Sequence, residues 1–306
     1  MSTSITSIGI TDGQRRQVTR MMKDIARHGT GLVLEKVETD TDGWQRLLAR
    51  GDEMKYAIAE LIVAKAREFT VSDQFADEEV ESTYGYLSGY TKPVSITDQI
   101  DILRGHWPTL NPDGAIRYMA EVYPKLRLPS WIEGPFALIR PGFFSNLCGE
   151  ELEEILKALK KARLGKVINY RKGFGEKQLH QSVNTLAKLA RIIEQQPGSD
   201  IIVVPSQFSI RHRGKSVRRA REVFIGAEFG HGAKDAGTMI LTNPIRLPNF
   251  DDLWIDCAGD EFSSDADGVF DRAPYWSFYD GYLRLGTGVV DSAVGHYGSV
   301  SGVCPQ

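Results

Sequence analysis

Cysteine is scarce in this chain. Cys148, Cys257 and Cys304 are far apart and odd in number. That argues against a disulfide framework or a zinc site built on a CxxC pair, and makes a reducing cytoplasm the expected compartment. Long apolar runs are missing as well. The longest, such as IIVV at 201–204, have strand length, well short of the ~20 residues that span a bilayer, so no membrane partner is expected. The N-terminus, MSTSITSIGITDGQRR, lacks the apolar core of a secretory signal. No internal repeat, low-complexity tract, G-x-S-x-G elbow, G-x-G-x-x-G fingerprint or H-E-x-x-H pair occurs among the residues.

What remains is an ordinary globular composition. The 306 residues are 42% apolar and 25% charged, enough for one large domain or two smaller ones with a core that needs no staples. TDGQRRQVTRMMKDIARHG predicts a helix with Val18, Met21, Met22 and Ile25 on one stripe, ended by Gly29. GLVLEKVET then reads as a short strand. TDTDGWQRLLARG and GDEMKYAIAELIVAKAREF read as two further helices. The polar, turn-rich residues 70–95 read as a linker, so the expected organisation is a helical region at 1–95 and an α/β region at 96–306.

In the second region, Ser95 or Thr97 is expected to cap one helix, and Asn111 with Pro112 to open another. PFALIRP, DIIVVPSQF, TMILTNPIRL and LWIDCAG read as strands. CGEELEEILKALKKARLG and FGEKQLHQSVNTLAKLARIIEQQPG read as helices, as does the stretch from Ser216 to about Gly230. YWSFYDGYLRLG alternates around Asp280-Gly281, a hairpin signal, and SVSGVC is expected as an edge strand. Helices first and a mixed sheet with packed helices afterwards give an α+β or mixed α/β fold.

Charge is unevenly placed. Residues 151–225 carry sixteen Lys/Arg against seven Asp/Glu, a net of +9. Within them RHRGKSVRRAR, residues 211–221, contains six Lys/Arg. Its GKS is not a P-loop, because the glycine required five positions earlier is Ser209. Ser216 reads as a helix N-cap, and a helix N-terminus flanked by arginines suits a phosphate. Arg211, Arg213, Lys215, Arg218 and Arg219 are therefore the candidate ligand-binding residues, with nucleic acid or another phosphate-bearing ligand as the expected partner.

Residues 249–306 carry ten Asp/Glu against Arg272 and Arg284, a net of −8. Asp256 within LWIDCAG, and Asp260 and Glu261 at its end, form the candidate divalent-metal set of a hydrolase or nuclease. SDADG offers Asp265 and Asp267 toward a calcium loop but lacks its alternating ligands and distant Glu. The simpler reading pairs the basic segment with the acidic one, Asp256 meeting an arginine, in a non-catalytic structural or interaction protein. Cys257 would be a nucleophile only with a histidine beside it, and otherwise a small buried residue.

VPSQFSIRHRGKSVRRAREVF, LTNPIRL and DLWIDCAGDE, with QRLLARGDEMK and SGYTKPVSITDQIDIL nearer the N-terminus, resemble a group of uncharacterised hypothetical proteins of ultra-small candidate-phylum bacteria. The likeness covers most of the chain. It implies a bacterial origin and transfers no site residue.

Overall fold

Helices open the chain, in the computed structural model that describes residues 12–68, 72–171, 178–224, 226–265 and 268–305. They are α1 (Asp12–Lys36), α2 (Thr41–Ala49) and α3 (Gly51–Glu68). The Asp40 carboxylate accepts the Gly43 amide at 2.7 Å and caps α2. GLVLEKVET is not a strand. α1 runs through Gly29 and Gly31 to Lys36, because a lone strand has no ladder partner among these helices. A helical glycine costs only about 1 kcal/mol relative to alanine. The chain divides into two compact units, Met1–Lys65 and Ala66–Gln306.

The second unit continues with α4 (Ile96–His106), whose N-cap is Ser95, accepting the Asp98 amide at 3.1 Å. α5 (Asp113–Glu121) opens at Pro112, with the Asn111 amide oxygen accepting from the Asp113 N–H. Then come β1 (Gly134–Ile139), α6 (Cys148–Ala162), β2 (Val167–Asn169), β3 (Leu179–Gln181), α7 (Val183–Gln195), β4 (Ile201–Gln207), α8 (Val217–Val223) and β5 (Glu228–Gly230). After these lie α9 (Ala233–Thr242), β6 (Trp254–Asp256), β7 (Asp260–Phe262), β8 (Arg272–Tyr279), β9 (Tyr282–Val289), β10 (Tyr297–Ser299) and β11 (Ser301–Val303). The architecture is α+β, a helical N-terminal region followed by mixed sheets.

Four strands form an antiparallel sheet in the order β1-β4-β11-β5. Seven strands form a second sheet: β10-β6-β8-β7-β3, with β9 beside β8 and β2 beside β9. There, β10 with β6 and β2 with β9 run parallel. The β8–β9 hairpin turns at Asp280 and Gly281, at φ of 52° and 75°. Two left-handed residues in succession suit a type I′ turn and the twist of the strands.

The largest departure from the sequence reading is TMILTNPIRL. Its first residues are not a strand but the body of α9, a helix whose ten residues are all buried. It packs against α6, β1 and β8. A helix covered on every side shows no amphipathic stripe, so a short apolar run of this kind looks like a strand. An added Cβ at Gly237 would stand 2.9 Å from Ile155 and 3.0 Å from Trp276, whose indole N–H donates to the Ala233 carbonyl. Met239, Ile240 and Leu241, the large apolar side chains buried in it, each contribute ~1.5–3 kcal/mol.

Smaller differences have similar causes. The helix expected from FGEKQ begins only at Val183, after Leu179–Gln181 has joined the second sheet. Residues 174–177 of that stretch lie outside the described residues. The helix from Ser216 stops at Val223, and Glu228–Gly230 pairs with β11 instead. β11 is not an edge strand, since it sits between β4 and β5.

Candidate binding site

The basic stretch is held by carboxylates from elsewhere in the second unit. Arg211 donates to Glu228 at 3.0 and 3.2 Å and lies over the Trp131 ring, 4.2 Å from its centroid. His212 meets the same Glu228 at 2.7 Å. Arg213 donates to the Tyr84 carbonyl, and Lys215 pairs with Glu79. Arg218 grips Glu78 with two groups and stacks on Phe75. Arg219 reaches Glu79, Asp73 and Glu222, and Arg221 donates to the carbonyls of Ala258 and Asp260. Ser216 is the N-cap expected of it, accepting the Arg219 amide.

The counter-charges expected from 249–306 come mainly from 73–79 instead, with Glu222 and Glu228. Asp256 pairs with no arginine among the described residues. Backbone bonds explain the choice: the Val80 amide donates to the Gly214 carbonyl and the Ser216 amide to Glu78, which lays the acidic segment alongside the basic one.

Asp256, Asp260 and Glu261 do not converge. Asp260 accepts the Ala233 amide at 2.7 Å and faces the start of α9. Burial pushes its carboxyl up to about 7. Glu261 points to His180, 3.4 Å away. Among the described residues no group of three or more His, Cys, Asp or Glu is placed to hold a metal. Asp267, of the calcium-like SDADG, lies outside the described residues. The Cys257 thiol is fully buried, and burial with Asp260, Asp256 and Asp235 nearby pushes it up, which disfavours the thiolate a nucleophile needs.

The start of α9 holds a polar chain that the sequence did not reveal. Ser206 and His231 are 2.8 Å apart, and the other ring nitrogen of His231 lies 3.5 Å from Asp235. Lys234 donates to the Ile139 carbonyl and to Glu151. The order Ser–His–Asp is that of a nucleophile, base and orienting acid. All three side chains are sealed from solvent, and the arrangement ties β4 and the residue after β5 to α9.

Asp256 lies differently. β6 alternates, with Ile255 turned to the core while Trp254 and Asp256 share the other face of the sheet. Register places Tyr275 of β8 directly opposite Asp256, with Gly286 of β9 opposite Tyr275. On the other flank, Ser299 of β10 is the partner of Asp256, two residues from Tyr297 on the same face. The Tyr275 and Tyr297 rings are perpendicular, centroids 5.4 Å apart. Gly286 leaves room for them, since a Cβ there would stand 2.6 Å from the Tyr275 ring.

Val217 from the start of α8, with Val289, Ser292 and Val294, completes a pocket of about 150 Å³ with Asp256 among its lining residues. Asp256 is only 9% exposed, and its carboxylate takes no hydrogen bond from a described residue. Burial alone pushes it up to about 7. Burial also raises the Tyr297 phenol, with Tyr275 and the Asp256 charge adding to the effect. Sequence marked Asp256 as a carboxylate in an apolar strand. The alternating glycines of LGTGVV were the available signal for open space above the neighbouring strand. No protein family, curated protein or solved structure matches the chain.

Proposed function

We propose that the protein is a non-catalytic binding module whose site is the Asp256 pocket, and that the pocket takes a small cationic group, an alkylammonium. One observation carries this reading: a carboxylate nine-tenths buried, with no hydrogen-bond partner among the described residues, borders a small pocket beside two tyrosines. An unpaired buried charge is costly, and a matched cation relieves that cost. Tyrosine faces and edges offer such a cation further contacts. A volume of about 150 Å³ equals about five water shares of ~30 Å³, which suits an ammonium with a few carbons.

The phosphate reading of the basic stretch gains no comparable support. Arg211, Lys215, Arg218 and Arg219 already face Glu78, Glu79, Asp73, Glu222 and Glu228, while Arg213 donates to the Tyr84 carbonyl. The metal-hydrolase reading lacks a convergent ligand set among the described residues.

Calorimetric titration with n-butylammonium, against n-butanol as the uncharged control, tests the proposal. Wild type is expected to bind the ammonium and not the alcohol, and Asp256→Asn to bind it at least ~10-fold more weakly. Equal binding by wild type and variant, or none by either, overturns it.

A further inference from the structure

The pocket holds a short alkylammonium but is too small to enclose a larger ligand. Sites that bury most of a ligand have volumes of ~300–1,000 Å³, against about 150 Å³ here. A larger molecule bearing the cationic group would extend over the surface beyond it, and that surface is aromatic. Tyr297 packs on Trp254, with centroids 5.1 Å apart, and Trp254 on His296 and Phe250 at 4.7 and 5.8 Å. Phe250 in turn packs on Tyr279 at 5.2 Å. Strand alternation puts Trp254, Asp256, Tyr275 and Tyr279 on one face of the sheet, and Phe250 and Tyr279 are each about half exposed. Exposed apolar surface that is contiguous rather than scattered marks an interaction site.

The far end of this ribbon already holds one cation. The Arg284 guanidinium lies 4.5 Å from the Tyr279 ring centroid and 5.8 Å from that of Tyr170. Exposed carboxylates flank the ribbon's half-exposed residues in the chain, Asp251 beside Phe250 and Asp280 beside Tyr279. Burial lowers the His296 imidazole, so it adds no opposing charge at neutral pH.

We infer that the partner is a basic protein segment, one lysine side chain of which enters the Asp256 pocket while the flanking chain lies along Trp254, Phe250 and Tyr279. This rests on the alkylammonium reading of the pocket and names what carries the ammonium. The lysine stem is apolar and its head is a compact point charge, which matches an aromatic wall ending in a carboxylate. The Asp251 and Asp280 carboxylates favour a basic chain over a neutral one along this surface. A free amine would gain from the pocket alone, whereas a peptide would also gain from the ribbon.

The test compares three probes by calorimetry on the full chain: n-butylammonium, a terminally blocked peptide of alternating glycine and lysine, and the same peptide with every lysine acetylated. The unmodified peptide is expected to bind at least ~10-fold more tightly than n-butylammonium, and the acetylated peptide not to bind. A Phe250→Ser/Tyr279→Ser variant alters two half-exposed side chains. It is expected to lose most of the peptide's advantage while binding n-butylammonium as wild type does.

If n-butylammonium binds and the peptide binds no more tightly, the basic-segment proposal falls and the pocket reading stands. If neither binds, both fall. Equal binding of the acetylated peptide also overturns the proposal, because the ribbon would then be taking apolar chain without regard to charge.

Discussion

Replacing Asp256 by asparagine keeps the shape of the side chain and removes its titration. An aspartate in an unfolded chain titrates near 3.9, whereas burial holds Asp256 at about 7. The folded state therefore binds this proton more tightly than the unfolded state does. Stability from this group is greatest below pH ~4, declines as pH rises from ~4 to ~7, and stays lowered above that. At ~1.36 kcal/mol per unit the full loss is ~4 kcal/mol, and the change between pH 5 and pH 8 is ~3 kcal/mol. The Asp256→Asn protein does not lose this increment. Urea unfolding followed by tryptophan fluorescence, at half-unit pH steps for both proteins, measures the difference directly. Asp260, also pushed up to about 7, contributes to both curves and cancels in the subtraction. The Asn variant should gain on wild type by ~3 kcal/mol from pH 5 to 8. A difference that stays flat with pH would refute the reasoning, because Asp256 would then titrate alike in the folded and unfolded states.

Three further outcomes follow from the geometry. Gly286→Val places a side chain into the Tyr275 ring. It should destabilise the protein by ~1–3 kcal/mol in the same urea assay and close the pocket to n-butylammonium. Arg219→Ala leaves Glu79 and Glu222 without their shared partner. It should cost ~2–4 kcal/mol, with a double-mutant cycle against Glu222→Gln showing strong coupling. Exchanging Arg211, Arg213 and Lys215 for alanine should leave fluorescence anisotropy with labelled single-stranded RNA unchanged at low salt. A steep salt dependence in wild type that vanishes in the variant would instead restore the phosphate reading.

The sequence showed what local chemistry decides. Asp280-Gly281 marked the hairpin because that turn needs two left-handed residues, and Ser216 marked a cap because its hydroxyl stands beside free amides, whereas sequence left Ser95 and Thr97 as alternatives that the fold resolves to Ser95. IIVV marked the buried strand β4. What the sequence hid depends on contacts between distant residues. Glu78 and Glu79 lie some 140 positions from Arg218 and Arg219, so the partners of the basic stretch could not be read from its neighbours. α9 was hidden by its complete burial. The pocket was half visible. Asp256 stood out as a charge in an apolar strand, but Tyr275 and Tyr297 reach its side only through sheet register, and no local pattern gives that register.

The central claim is that the Asp256 carboxylate receives a cation. Its most direct test is the carboxyl ¹³C titration of Asp256 by NMR, with and without saturating n-butylammonium. In the free protein the midpoint should lie near the value burial imposes, about 7. With the ammonium bound it should fall by at least ~1 unit, because a nearby positive charge favours the ionised form. A midpoint that the amine leaves unmoved would contradict the account.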